Sequence, residues 1–211
     1  MANARSGTPP MGRRAEYAEL TRRAILDAAH DLYVRKGYFA TKVEEIAHAA
    51  RVAPATVYAV GGGKSGLLQA LVESGIAAED IPPIVRRIES ADDPDELLRF
   101  IVHITRVKFE EWSGLIRQVF AAAPREPSVR QVLRLANGSL RGGLTLTAHQ
   151  FQRMGALRKG LDVSKTTEVL YFYLSNAAYF IRTDDLGWSL DESEPWLVEA
   201  LRFALFDRTS R

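Results

Sequence analysis

Four polar residues near the amino terminus have the types and spacing of a phosphate-contacting site. The hydroxyl of Tyr58 can donate a hydrogen bond to a phosphate oxygen, and the ammonium groups of Lys42 and Lys64 can neutralise its charge. Thr41 and Lys42 stand where a helix is expected to begin, and backbone N–H groups at a helix start also attract phosphate. These residues favour contact with a nucleic acid backbone, while the Tyr58 ring can pack on the protein at the same time.

Two short helices joined by a tight turn are predicted to position these residues. Thr41 with Glu44 has the spacing of a capping box, which predicts that the first helix begins there. Residues 51–53 are too few for a strand and indicate a turn. Pro54 suits the first position of the second helix, where its missing N–H leaves no bond unmade. This arrangement is a helix-turn-helix, whose second helix can lie in the major groove of DNA.

The second helix offers few side chains that read bases. Its candidates are Pro54, Ala55, Thr56 and Val60, of which Thr56 offers a hydroxyl and a methyl group and Ala55 only apolar contact. Arg, Asn and Gln are missing from this helix. We therefore expect specificity to depend on DNA shape, on Lys42 or on an amino-terminal arm.

The run from Gly61 to Ser65 has the form of the end of a nucleotide-binding P-loop. That motif requires another glycine at position 58, where this chain has Tyr58, and it requires a preceding strand rather than a helix. A nucleotide site is therefore not expected, and the run is interpreted as a helix start with Lys64 against a phosphate.

The same segment resembles the amino-terminal domain of the TetR family of transcriptional regulators. The residues that carry the resemblance are Ile46-Ala47, Val52, Ala55-Thr56-Val57-Tyr58, Lys64 and Leu67-Leu68. The family usually has an aromatic residue or His, then Phe, where this chain has Val60 and Gly61. The resemblance implies a repressor that places Tyr58 and Lys64 against the DNA backbone and uses its last two long helices to dimerise.

Composition and charge limit the alternatives. Nearly half of the 211 residues are apolar, which is enough for a substantial core, and cysteine is absent, which excludes disulfides. Residues 1–64 contain ten Lys and Arg against six Asp and Glu, a net charge of +4, although the chain carries only +2. A basic amino-terminal region suits phosphate binding, although a difference this small also arises by chance. No apolar run reaches about 18 residues, and we expect a cytoplasmic protein.

The predicted fold class is all-α, with a three-helix helix-turn-helix domain followed by a helical bundle and about nine helices in total. The expected domains are a disordered arm (1–15), a DNA-binding domain (16–63) and a ligand-binding and dimerisation domain (64–211). The arm is equally compatible with contact to DNA and with a solvated tail. Helices are expected at about 17–36, 64–79, 93–122, 127–154, 164–182 and 195–206, from helical spacing of apolar residues and from the breakers between them.

The carboxy-terminal domain carries aromatic and polar residues that can line a ligand cavity or simply fill the core. These are His103, Phe109, Trp112, Arg117, Phe120, His149, Tyr171, Asn176 and Tyr179. The late helices are apolar on more than one face, and we expect part of that surface to be buried between two copies of the chain. The expected interface residues are Tyr173, Ala177, Leu197, Leu201 and Leu205.

The sequence therefore predicts a ligand-responsive repressor that binds a palindromic operator as a homodimer, with an unidentified small-molecule effector and no cofactor or metal. The four histidines are scattered and do not pair at metal-ligand spacing. Two alternatives stay open: a constitutive dimeric DNA-binding regulator without effector, and an all-α enzyme, for which the sequence contains no recognisable catalytic arrangement.

Overall fold

The computed structural model describes residues 12–207, and its regular elements in that range are helices, apart from one isolated antiparallel bridge between Leu157 and Phe206. The all-α prediction is confirmed. The chain divides into two compact units between Leu71 and Val72, within the fourth helix, whereas the sequence suggested a boundary in front of Lys64. Each unit has its own core.

Ten α-helices and one short π-helical segment make up the described range. Their bounds are α1 Arg13–Lys36, α2 Val43–Ala49, α3 Pro54–Gly61, α4 Lys64–Ile76, α5 Ile81–Glu89, α6 Pro94–Ala122, α7 Pro127–Arg153, α8 Val163–Leu174, α9 Asn176–Phe180, the π-helical segment Ile181–Asp185, and α10 Leu190–Leu205.

The first unit is a small helical core built from one apolar face of each helix. Helix α1 buries Ile25 and Tyr33, which lie on one helical face with Ala29 between them. Ile46 of α2, Val57 of α3 and Leu67 of α4 are completely buried as well. This core fixes α2 and α3 as a helix-turn-helix, as the sequence predicted.

Helices α1 and α2 begin at residues other than those that the sequence predicted. Helix α1 begins at Arg13, so part of the segment expected to be an arm is helical, and residues 1–11 of that arm lie outside the described range. The cap of α2 is Lys42 rather than Thr41, because the Glu45 carboxylate accepts a hydrogen bond from the Lys42 backbone N–H at 2.9 Å. Contact with Lys36 and this backbone bond hold the pKa of Glu45 below its ordinary value.

The second unit contains helices that the sequence pattern did not separate. Helix α5 was not expected, but its two prolines lie in the first turn, where they displace no helical hydrogen bond. The helix expected over 164–182 is interrupted at Ser175, whose extended backbone (φ −67°, ψ 154°) separates α8 from α9. Helix α10 begins at Leu190, ahead of Pro195, because Ser189 and Glu192 form a capping box there.

The core of the second unit lies between α6, α7, α8 and α10. Its completely buried members include Leu98, Phe151, Leu170, Leu197 and Leu201. Arg202 of α10 also pairs with Asp95 of α6 at 2.7 Å. Within the described residues, no helix is both long and apolar enough to span a membrane.

Candidate functional site

Helix α3 turns one narrow face inward and the rest outward. Val57 is 0% exposed and anchors the helix to the core of the first unit. Pro54, Ala55 and Ala59 are exposed, and Tyr58 is 55% exposed. A helix held by a single deep anchor and bearing small outward residues can approach another surface closely, as a helix in a DNA groove must.

The turn before α3 has a strained residue that sequence reasoning did not single out. Arg51 adopts a positive φ of 57°, which is unusual for a residue with a side chain, and it is exposed. The turn is fixed by the Val52 N–H, which donates to the Ala47 carbonyl at 2.9 Å. Arg51 thereby adds a cation beside α3, and its signal in the sequence was the single basic residue of the turn.

The structure separates the two residues expected at the start of α2. Thr41 is 1% exposed, and its hydroxyl donates to the Gly37 carbonyl at 2.8 Å. The Thr41 side chain is therefore not available to DNA, because this hydroxyl closes the turn between α1 and α2. The predicted contact of phosphate with backbone N–H groups at this helix start stays a prediction. Lys42 is exposed and keeps its place as a phosphate-contact candidate.

Lys64 has an internal role that its sequence position did not reveal. Its ammonium group donates to the Tyr38 carbonyl at 2.8 Å and lies 4.6 Å from the centre of the Tyr38 ring. Its own carbonyl accepts from the Tyr33 hydroxyl at 2.9 Å. Lys64 therefore fastens the start of α4 to the end of α1, which limits how far its charge can extend toward a phosphate.

The glycine run between α3 and α4 allows a close approach of the two helices. Gly62 ends α3 with a φ of 64° and donates its N–H to the Tyr58 carbonyl at 2.8 Å. A methyl group on Gly66 would lie 1.8 Å from the Gly61 carbonyl oxygen, so only glycine fits there. The helix that precedes this run is incompatible with a P-loop, which agrees with the rejection of a nucleotide site.

The remaining candidates on α3 are less accessible than the exposed face. Thr56 and Val60 are both half-buried. Val60 lines a shallow open groove with residues of the first turns of α1, among them Arg22. Val60 therefore faces α1, and the base-facing candidates that remain fully exposed are Pro54 and Ala55.

In the second unit, four of the nine candidate ligand residues converge on one aromatic cluster. Phe109 and Tyr179 stack with ring centres 4.7 Å apart and planes at 17°. Phe120 meets the edge of Phe180 at 5.6 Å, and Arg117 lies over the same ring at 4.6 Å while it pairs with Asp184. Burial raises the pKa of Tyr179, and contact with Arg117 lowers the pKa of Asp184.

The other five candidates do not take part in these ring and ion contacts: His103, Trp112, His149, Tyr171 and Asn176. His103 is exposed, with its Nδ1 2.9 Å from a carboxylate oxygen of Glu194. His149 lines an open groove with Arg153. Trp112 packs closely against Gly75, because a methyl group on Gly75 would lie 2.7 Å from the indole ring of Trp112. The structure thus gathers the predicted ligand residues only in part.

The structure corrects the prediction that three leucines of α10 lie at a dimer interface. Leu197, Leu201 and Leu205 are completely buried inside the second unit, so they cannot contact a second copy. They form the inward stripe of α10, and periodicity alone could not distinguish that stripe from an outward one. Tyr173 stays half-buried and Ala177 is exposed, so both keep their place as candidates.

The outward face of α8 and α10 carries large aromatic side chains instead. Phe172 is 73% exposed and Trp196 44%. Ring contacts join Phe172 to Tyr173 (5.3 Å), Tyr173 to Trp196 (6.1 Å) and Trp196 to Trp188 (5.2 Å). We call these four residues the aromatic strip. Among the described residues, no group of three or more His, Asp or Glu side chains is placed to bind a metal ion.

Most of the first unit matches a known protein family. Residues 25–71 match the family described as bacterial regulatory proteins, tetR family. The HTH-type transcriptional regulator UidR of Escherichia coli K12 is 22% identical over 174 residues, which cover 81% of this chain and 86% of that protein. The uncharacterized HTH-type transcriptional regulator YvkB of Bacillus subtilis is 32% identical over 111 residues, or 53% of this chain and 54% of that protein.

Solved structures share the fold over most of the chain. A choline complex of a Saccharomonospora viridis protein, assigned as a transcriptional regulator, superposes with a TM-score of 0.73 at 20% identity, covering 90% of this chain and 100% of that one. A triclosan complex of SmeT, the repressor of a Stenotrophomonas maltophilia efflux pump, gives 0.71 at 18% identity, covering 90% and 93%.

An outward-facing helix-turn-helix and relatives that are transcriptional regulators define the class of this protein as a DNA-binding transcriptional regulator and not an enzyme. Within that class, residues 25–71 match the family of bacterial regulatory proteins described as tetR, and the UidR relative, which matches over most of the chain, is an HTH-type transcriptional regulator.

Proposed function

We propose that the protein is a ligand-responsive repressor that binds a palindromic operator as a homodimer in the cytoplasm. The observation that carries the proposal is the outward face of α3, with Pro54 and Ala55 at its start and Tyr58 one turn later. Residues near the start of a recognition helix contact base edges, and Tyr58 donates to a phosphate. Lys42 at the start of α2 and Arg51 in the turn before α3 are both exposed, and they supply cations for the DNA backbone.

Dimerisation is supported by the aromatic strip. Exposed apolar patches on soluble proteins mark interaction sites, and Trp, Tyr and Phe are enriched in the energetically dominant part of such interfaces. Phe172 and Trp196 lie on the two helices that the family uses to dimerise, and Ala177 follows the strip along the chain. Two-fold symmetry then matches a palindromic operator whose half-sites are about one helical turn apart or a little more.

Ligand response is supported by the aromatic cluster of Phe109, Phe120, Tyr179 and Phe180 in the second unit. The related structures that contain choline and triclosan support a small-molecule effector for this chain as well. An effector that favours one dimer conformation by about 1–3 kcal/mol would lower operator affinity by several-fold to about a hundredfold.

A mobility-shift assay on DNA upstream of the protein's own gene, with and without candidate ligands, tests the proposal. We expect two protomers to form a complex with the DNA that migrates more slowly than free DNA. Candidate effectors should dissociate this complex. Absence of any preference for a palindrome over scrambled DNA of the same composition would contradict operator binding.

One observation favours a second function, a constitutive dimeric regulator without effector. Phe109 is 5% exposed and Tyr179 1% exposed, so the centre of the aromatic cluster is packed rather than open. This candidate predicts the same shifted complex, unchanged by every ligand.

A further inference from the structure

Arg182 lies inside the second unit, and no acidic side chain among residues 12–207 pairs with it. It lies in the π-helical segment that follows α9, and its side chain is only 6% exposed. Its Nη1 donates to the Tyr173 carbonyl at 3.0 Å. That carbonyl is accessible because the helix stops at Ser175, which leaves the last carbonyls of α8 without partners in the helix.

The remaining edge of this guanidinium is unsatisfied. Nε and Nη2 of Arg182 are buried, and neither donates a hydrogen bond of ordinary geometry to a described residue. Its guanidinium stacks over the Tyr179 ring at 4.4 Å. Burial lowers the pKa of Arg182, and Tyr179 offsets that effect only in part. A buried charge is ordinarily paired, because removing it from water is costly.

Two other arginines of the second unit, Arg106 and Arg117, are paired with carboxylates, in contrast to Arg182. Arg106 donates to Glu194 at 2.7 Å and to Asp191 at 2.5 Å, although it is more accessible than Arg182. Arg117 pairs with Asp184. Thus the more accessible arginines have carboxylate partners, and the most deeply buried of the three does not. A buried donor edge of this kind is suited to an anion from outside the chain.

The geometry points to a carboxylate. Nε–H and one Nη2–H leave the guanidinium on the same side and nearly parallel, which matches the two oxygens of a carboxylate in a bidentate pair. The Tyr179 ring, whose centre lies 4.4 Å from the guanidinium carbon, and Phe109, which stacks on that ring, provide aromatic surface next to the guanidinium. We propose that Arg182 binds the carboxylate of an effector whose remaining part is apolar, aromatic or aliphatic.

This inference rests on the proposed ligand response, and it connects effector binding to the proposed dimer face. The guanidinium that would hold the carboxylate is the one that holds the Tyr173 carbonyl, and the Tyr173 ring belongs to the aromatic strip. A carboxylate that pulls Arg182 toward itself would therefore act on the end of α8 at the proposed dimer face. π-helical segments are rare and often occur at functional sites, which fits the position of Arg182.

Calorimetric titration of the full-length protein tests the proposal. The probes are benzoate and octanoate, each with its neutral amide, together with inorganic phosphate and choline. We expect saturable binding of at least one carboxylate, with its amide at least tenfold weaker and with phosphate and choline weaker still. Arg182→Met should remove the preference for the carboxylate, and Arg182→Lys, which keeps the charge but loses the paired donors, should reduce it at least severalfold.

Arg202→Met is the matched control, because Arg202 is an exposed arginine of the same unit that is paired with Asp95. It should bind the carboxylate within twofold of the parent protein. Equal affinity for carboxylate and amide in the parent, or an unchanged preference in both Arg182 variants, overturns the inference. Operator binding is measured in parallel: operator binding without carboxylate binding refutes only this site, whereas carboxylate binding through Arg182 that leaves operator affinity unchanged refutes the ligand response.

Discussion

Two outward helix faces of the molecule are built in opposite ways. Helix α3 presents Pro54, Ala55 and Ala59, which are small, with Tyr58 as the one large side chain. The face of α8 and α10 presents large aromatic rings, Phe172 and Trp196, joined through Tyr173. Small side chains let a helix backbone come close to another surface, and large rings bury much area when a partner covers them.

The difference indicates two kinds of partner. A DNA groove admits a helix only at close range, and hydroxyls and cations suit contact with the DNA backbone. Tyr58 and Lys42, which are both exposed, offer such groups. A second protein chain instead rewards aromatic area at the centre of the contact. Under the proposed function, the face of α3 contacts nucleic acid and the face of α8 and α10 contacts a second copy, and we expect that each face can be disabled without the other.

The largest effect is expected on the aromatic strip. Phe172→Glu with Trp196→Glu should weaken dimerisation by about 4 kcal/mol, roughly a thousandfold, because each exposed ring is expected to contribute about 2 kcal/mol. Sedimentation equilibrium measures the change, and thermal unfolding checks that the fold is kept.

Leu135→Glu serves as the control for this pair. Leu135 is an exposed leucine of α7 outside the strip, so its replacement should leave the dimer intact. A double strip variant that remains a dimer would show that the aromatic rings face solvent or another partner.

The next largest effect is expected on the small face of α3. Ala55→Glu places a negative, longer side chain where the duplex should approach, and like-charge juxtaposition costs several kcal/mol. Operator affinity measured by fluorescence anisotropy should fall at least about a hundredfold, with the dimer unchanged. Ala121→Glu, on an exposed position of α6, is the matched substitution and should leave affinity as it was. Equal losses in both variants would mean that a general charge effect is responsible.

A smaller effect is expected from one hydroxyl. Tyr58→Phe removes the hydrogen bond to phosphate and keeps the ring, which costs about 1.5 kcal/mol, or roughly tenfold in affinity. Because a phosphate contact carries no sequence information, operator and scrambled DNA should lose affinity alike. Tyr171→Phe in the second unit is the control. Loss confined to the operator would identify Tyr58 as a base contact instead.

The smallest effects distinguish two lysines. Lys42→Ala should lower the slope of log affinity against log salt by about one, because Lys42 is exposed. Lys64→Ala should change that slope less and should lower the free energy of unfolding of the first unit by about 1 kcal/mol, because its ammonium group is bound to the Tyr38 carbonyl. Salt titration and urea unfolding compare the two variants. If Lys64→Ala lowered the slope of log affinity against log salt by a full unit, Lys64 would be a phosphate contact.

What the sequence could predict follows from the range of the interactions involved. The helix-turn-helix was predictable because its signals are local: Pro54 at a helix start, a short turn, and apolar residues that keep helical spacing. The inward hydroxyl of Thr41 and the tether of Lys64 to Tyr38 were not, because both depend on residues from α1 and the turn that follows it.

In the second unit the missing information was which face of each late helix lies inward. Leu197 and Leu201 and the outward Trp196 are all apolar, so spacing indicates a stripe on α10 without giving its direction. The break at Ser175 and the π-helical segment have no reliable sequence signal, and the unpaired edge of Arg182 depends on both. Tertiary packing, rather than propensity, decides each of these.

Hydroxyl-radical footprinting on palindromic DNA selected by the protein from a random pool tests the central claim most directly. Two dimer-related copies of α3 should give two equivalent protected segments, related by the dyad and centred about one helical turn apart or a little more, and Ala55→Glu should abolish both. A single protected segment without symmetry, or protection that survives Ala55→Glu, would contradict the placement of α3 in the groove.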